Sequence, residues 1–272
     1  MVDEKTRADE KTRIDPVTII GLGLILLPVL TMWHEIGGHA ATCVALGGKV
    51  TVIGAFYVDC DIIGMIGKRL VACAGISVDA ILSLVAWQLW LRVRGDLARL
   101  VLFYVMIGKG FVAAGYFLFS GFSGLGDLGT MPGGGLEGLN HAWLWRIGFI
   151  ALGGFVYFRL VMAAIRALNA MLGDTAETKV ARRRIAHLFY ATLGFDAVLV
   201  GLLNPVGIFI TIMSAAASSF GGNAGFISIG YAVPSGSNAR SFTIPRSWVI
   251  FALGVAISAG FAVVLGPSVR FR

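Results

Sequence analysis

Apolar stretches long enough to cross a bilayer recur along this chain, and no other feature constrains its fold as strongly. They lie at about 17–46, 69–91, 100–119, 142–170, 185–219 and 247–267, separated by short polar segments. A helix needs about 20 apolar residues to cross ~30 Å of hydrocarbon. In lipid the backbone must also satisfy its own hydrogen bonds, which helices do. Composition points the same way: 57% of residues are hydrophobic and 14% charged, against about 25% charged in soluble domains. The expectation is an all-α integral membrane protein with about six transmembrane helices, in contact with membrane lipid. The first, fourth and fifth runs exceed one crossing, so they tilt, protrude or break. Pro205 and Gly207 mark a break in the fifth. The β-branched stretch 49–58, KVTVIGAFYV, predicts a short β-like segment after the first span.

Residues 1–16 carry mixed charge without apolar periodicity, and DEKTR occurs at 3–7 and again at 9–13. They read as a disordered cytoplasmic tail, followed by a single polytopic transmembrane domain over 17–272. The net charge of +7 does not point to nucleic acid, because Lys and Arg in a membrane protein mark the cytoplasmic ends of spans. With six spans and both termini cytoplasmic, the inside segments hold Lys5, Arg7, Lys11, Arg13, Arg92, Arg94, Arg99, Lys179, Arg182, Arg183, Arg184, Arg270 and Arg272. The outside segments hold only Lys49, Lys68, Arg69, Arg240 and Arg246. This asymmetry favours cytoplasmic termini. Splitting the fifth run into two spans would put the C-terminus outside, and Arg240 and Arg246 inside. Three cysteines, Cys43, Cys60 and Cys73, exclude a disulfide framework and a four-cysteine zinc site. One bridge is possible, but the expectation is three thiols packed as small apolar residues.

The first span contains His34-Glu35-Ile36-Gly37-Gly38-His39. Ionisable groups at membrane depth are costly unless paired or used. Two imidazoles can bind zinc, and a neighbouring carboxylate can take a proton from zinc-bound water. In the zincin motif HExxH the histidines are four residues apart. Here they are five apart, which separates them by about 140° on an α-helix. A π-bulge would realign them, and Gly37 and Gly38 would ease it.

HEIGGHAATCVALGGKV resembles the zinc helix of the site-2 protease family of intramembrane metalloproteases. Ala40 and Ala41, the turn at Gly47 and Gly48, and the strand-like KVTVIGAFYV fit that pattern. The six-residue spacing resembles the HExxGH motif of the soluble dipeptidyl peptidase III family. The resemblance implies Zn2+ held by His34 and His39, with Glu35 as general base. It places the third ligand on an aspartate in a glycine-containing stretch of a later span. Asp127, in Ser123-Gly-Leu-Gly-Asp-Leu-Gly129, is that candidate, and charge counting puts it on the same side as the histidines. The glycines there also match GxGxxG, but no βαβ unit surrounds them, so a dinucleotide loop is discounted. Asp79 and Asp196 are alternatives, as ligands or as partners that fix a histidine tautomer. His141 could also ligate, and Lys109 could snorkel or pair with a buried acid. Asn204-Pro205 resembles the family's substrate-holding Asn-Pro element, which would give Asn204 a substrate-binding role.

The expected function is a membrane-embedded zinc metallopeptidase acting on a transmembrane or membrane-proximal peptide. The alternative is a non-catalytic membrane subunit of a larger complex, retaining a degenerate metal motif. A transporter with a polar midplane site ranks third, since no internal repeat is evident.

Overall fold

The computed structural model describes residues 12–132, 134–205, 207, 219–232, 236–238 and 240–271. Strand β1 (Thr12–Ile14) leads into helix α1 (Pro16–Met32). Asp15 caps α1 by accepting from the Val17 amide at 3.0 Å, and Pro16 occupies the first turn, where a missing amide costs nothing. The helix continues through a π-helical segment, Trp33–Ala40, into the short helix α2 (Ala41–Ala45). Strands β2 (Lys49–Ile53) and β3 (Val58–Asp61) form an antiparallel hairpin. Then come α3 (Met65–Trp90), α4 (Asp96–Ser123) and α5 (Ala142–Leu172). Lys179–Arg183 (α6), a π-turn at Arg184–Leu188 and Phe189–Gly201 (α7) make one interrupted helical run. The short helix α8 (Gly225–Tyr231), strand β4 (Phe242–Ile244), α9 (Trp248–Leu265) and strand β5 (Val269–Arg270) complete the described chain.

Five helical stretches are long and apolar enough to cross a membrane: 16–45, 65–90, 96–123, 142–172 and 248–265. By length and composition they are consistent with a multi-pass integral membrane protein. Helix α4 is central, with 61% of its most apolar stretch buried against 11% for α5. The core gathers around it: Tyr104 stacks on Phe189 with ring centroids 3.6 Å apart, and Phe226 packs edge-on to Phe111. The apolar run expected at 185–219 is not one straight helix. It leaves helical geometry after Gly201, one turn before Pro205, and 208–218 lie outside the described residues.

Strand pairing corrects two expectations. Strand β1 pairs in parallel with β4, and the Arg246 guanidinium meets the Asp15 carboxylate at 3.0 Å. Residues 12–16 are therefore ordered, and the disordered tail cannot extend to residue 16; residues 1–11 lie outside the described residues. At the other end of α1, β2 pairs antiparallel with β5. Helices α1 and α9 thus run side by side in the same direction, and the two ends of the described chain lie at opposite ends of the bundle. The described ends, Thr12 and Phe271, therefore do not share one side, and the expectation of both termini on one side finds no support in them. The run 179–201 crosses the bundle, with Arg184 donating to the Ile14 carbonyl at its start and Leu203 packed beside Gly266 at its end. The described residues 219–232 lie back along this run, with the Tyr190 hydroxyl donating to the Phe220 carbonyl at 3.1 Å and His187 Nε2 to the Ile227 carbonyl at 3.0 Å. The end carrying β1 and β4 is called proximal, and the end carrying the hairpin distal.

A third correction concerns the cysteines. The turn after α2 folds β3 back over it, and Cys43 and Cys60 form a disulfide at the distal end. Among the described residues, Cys73 keeps a free thiol.

Candidate metal centre

The site begins with the irregularity at Trp33–Ala40. In this π-helical segment residues five apart lie about one turn apart, so His34 and His39 face the same way. Their ring nitrogens Nε2 are 3.2 Å apart, and both residues are buried, as is Glu35. The segment packs against α3 through glycines. A Cβ on Gly38 would lie 2.7 Å from the Gly75 Cα. A Cβ on Gly75 would lie 2.5 Å from Nε2 of both His34 and His39. Gly75 therefore leaves open the space into which the two imidazoles point.

The third group comes from the loop after α4. Gly124 and Gly126 adopt positive φ, and the loop closes through Gly129 N donating to Gly126 O at 2.8 Å and Leu136 N to Gly129 O at 2.7 Å. These turns aim Asp127 inward, where Oδ2 lies 3.3 Å from His34 Nε2 and 3.4 Å from His39 Nε2.

Hydrogen bonds set the tautomers. His39 Nδ1 lies 2.7 Å from the Val71 carbonyl, which only accepts, so Nδ1 carries the proton. His34 Nδ1 lies 2.8 Å from Asp79 Oδ2 and donates to it in the same way. In the neutral rings both Nε2 atoms then hold lone pairs. Together with Asp127 Oδ2 they form three acceptors facing one another, none able to donate to the next. A cation satisfies such an arrangement, and His34, His39 and Asp127 can hold a metal ion. Glu35 stands beside this group, with a buried Oε2 that has no hydrogen-bond partner.

Asp79 is not one of the three converging donors; it is an outer partner of His34. Lys109 pairs with it, Nζ to Oδ1 at 2.5 Å. His141 sits at the start of α5 with φ 55° and is not part of the cluster. Asp196 receives the Ser258 hydroxyl at 2.5 Å. A cavity of about 60 Å³ adjoins His34 and Glu35, walled by Leu26, Leu30, Val112 and Leu193, with Lys109, Ser219 and Asn223 as polar lining. Asn204 is buried beyond the end of α7 and does not line it; the asparagine that does is Asn223.

Sequence reasoning missed Gly75, Asn223 and Tyr116, whose ring stacks on His34 at 5.3 Å. The run Ala72-Cys73-Ala74-Gly75 offered a weak signal for Gly75, since small residues in a span mark close helix contact. Nothing singled out Asn223, and Tyr116 only opens the stretch 116–129 that contains Asp127, with no role of its own read from it. No protein-family model, curated protein or solved structure matches this chain.

Proposed function

We propose that the protein is a membrane-embedded zinc metallopeptidase similar to the site-2 protease family, cleaving peptide bonds of membrane or membrane-proximal substrates. The observation that carries this reading is the convergence of His34, His39 and Asp127 beside a buried glutamate with an unpaired oxygen. Two further features support it. Ligands about 2.05 Å from a tetrahedral zinc ion are about 3.3 Å apart, and the three donor atoms here are separated by 3.2, 3.3 and 3.4 Å. The charges also favour a divalent ion. With Glu35, Asp79 and Asp127 ionised, Lys109 charged and both imidazoles neutral, the centre carries two surplus negative charges in a setting where charge is costly.

In this reading His34, His39 and Asp127 hold the ion. A bound zinc ion would supply Lewis-acid polarisation and a more acidic water. Glu35 would be the base that accepts a proton there. The apolar cavity walls receive a side chain of an unwound peptide and keep bulk water out, with Asn223 and Ser219 offering polar contacts to it.

Orientation follows from charge. Arg13, Arg92, Arg94, Arg99, the basic run 179–184, Arg240 and Arg246 belong to the proximal end, while Lys49, Lys68, Arg69, Arg146 and Arg270 belong to the distal end. The proximal end is therefore assigned to the cytoplasm. A disulfide at the distal end suits an oxidising compartment there, and the metal centre lies toward that side.

Element analysis of the purified protein tests the metal, with about one zinc ion per chain expected and none from His34→Ala. Incubation with a reconstituted library of membrane-spanning peptides tests the chemistry. Glu35→Gln should keep zinc and reduce cleavage by about 10²–10⁴-fold. A zinc-free protein overturns the proposal. Zinc bound without cleavage of any peptide leaves the non-catalytic membrane subunit as the reading.

A further inference from the structure

Three helical segments contribute one charged or polar group each to a buried chain that ends at the metal centre. Lys109 on α4 meets Asp79 on α3 at 2.5 Å, and Asp79 meets His34 of the π-helical segment at 2.8 Å. Lys109 is 5% exposed, Asp79 0% and His34 4%. His39 has no such chain, because its Nδ1 rests on the uncharged Val71 carbonyl. The two histidines are therefore unequal: one is backed by a carboxylate with its own counter-charge, the other by a peptide group.

We infer that Asp79 is a positioning residue that orients His34 and strengthens it as a metal ligand, and that Lys109 fixes Asp79 by pairing with its other oxygen. This rests on the zinc reading of the site. A carboxylate behind a metal-bound imidazole fixes the tautomer and raises the donor strength of the opposite nitrogen. A lone carboxylate at this depth is strongly unfavourable, and an ammonium in direct contact offsets that cost. Each oxygen of Asp79 has one task, Oδ1 toward Lys109 and Oδ2 toward His34. Lys109 also lines the cavity beside Glu35, and its own contact with the metal group runs through Asp79. The chain ties α3 and α4 to the π-helical segment at one point, so the metal site and the packing of the first three long helices are one construction.

The test uses the full chain in detergent, with zinc affinity measured by chelator competition and folding by thermal melting. Lys109→Met should fold poorly, because it strands the Asp79 charge. Asp79→Asn combined with Lys109→Met should recover most of the folded yield. That double variant should bind zinc about 10–100-fold more weakly than the unaltered protein, the range seen when an outer partner is lost. A merely structural role for the pair would lower the melting temperature and leave affinity in the folded fraction unchanged. Equal zinc affinity in the double variant and the unaltered chain overturns the role of Asp79. A well-folded Lys109→Met with no gain from the second substitution overturns the role of Lys109. A protein that binds no zinc at all overturns the metal reading itself, and this inference with it.

Discussion

The chain contains two described π-helical segments that include histidines, and only one of them builds a site. In Trp33–Ala40, His34 and His39 turn toward α3, where Gly75 leaves space for both rings. In Arg184–Leu188, His187 turns toward α8, where Gly230 plays the same part: a Cβ there would lie 2.1 Å from His187 Nε2. The outcomes differ because of what each ring nitrogen meets. His187 spends its Nε2 on the Ile227 carbonyl at 3.0 Å, so that nitrogen donates, and its ring lies against Tyr231. His34 and His39 spend Nδ1 on Asp79 and Val71, which leaves both Nε2 lone pairs facing inward beside Asp127. The second segment is tied into the core instead: the Tyr104 hydroxyl donates to the Ile185 carbonyl at 3.0 Å. A π-turn re-aims side chains, and the acceptors around it decide whether the result is a ligand set or a packing contact.

The largest effect is expected at Gly75. Gly75→Ala puts a methyl group 2.5 Å from both Nε2 atoms, and Gly75 lies against the backbone of Gly38, so the helices cannot part without opening the site. Zinc affinity should fall by more than about 100-fold, beyond the loss of an outer partner, read by chelator competition. Retention of zinc would mean that the rings do not converge at Gly75.

The first segment is also stapled and the second is not. The Cys43–Cys60 disulfide closes a loop with a sequence separation of 17 residues. Loops of about 15 residues are worth about 3 kcal/mol when closed by a disulfide. Cys43→Ser should lower resistance to denaturant by that order. If the distal end faces an oxidising compartment, the freed Cys60 should label with a membrane-impermeant thiol reagent applied from that side. Labelling only from the cytoplasmic side would reverse the proposed orientation.

Gly230→Ala should act on packing alone. The clash falls on the far end of the His187 side chain, which can move, so the cost is that of modest overpacking, about 1–3 kcal/mol. Thermal melting should show it, and zinc content should not change. A loss of zinc would show that the two π-helical segments are coupled through α7 and the core.

These contrasts bear on what was legible in the sequence. The metal group was legible because His34, Glu35 and His39 interrupt an apolar run, and because Asp127 sits among glycines that permit tight turns. The histidine spacing itself asked for a π-turn. The second π-turn had no such mark: one histidine after Arg184 carries no periodicity to violate. Gly75 was hidden among the many small residues of a helical protein, since only the neighbouring helix makes it special. The disulfide depended on β3 folding back over α2, which three cysteines at unremarkable spacing did not specify. Charge counting alone left two readings of the fifth apolar run, one span or two, and the favoured single span put Arg240 and Arg246 opposite Arg13, whereas β4 lies beside β1. Asp79 could be read either as ligand or as partner until its distance to Nδ1 of His34 was known.

The smallest effect is expected from deleting Gly37, and it tests whether the π-turn itself is needed. A π-bulge amounts to one extra residue in an α-helix, accommodated without rotating the helix beyond it. Deletion leaves His34-Glu35-Ile36-Gly38-His39, with the histidines four apart, the spacing at which an ordinary α-helix places two imidazoles on one face. Gly37 is half-buried, and its nearest neighbour for a Cβ is the Trp33 ring at 2.9 Å rather than the metal group. Gly38 keeps its approach to Gly75, and α2 keeps its direction into the hairpin. Zinc affinity should therefore stay within about tenfold, about 1.4 kcal/mol, while the melting temperature rises or holds. A loss as deep as that of Gly75→Ala would show that the wider π geometry sets the angle at which the rings approach Asp127. The five-residue spacing would then be a requirement of this centre.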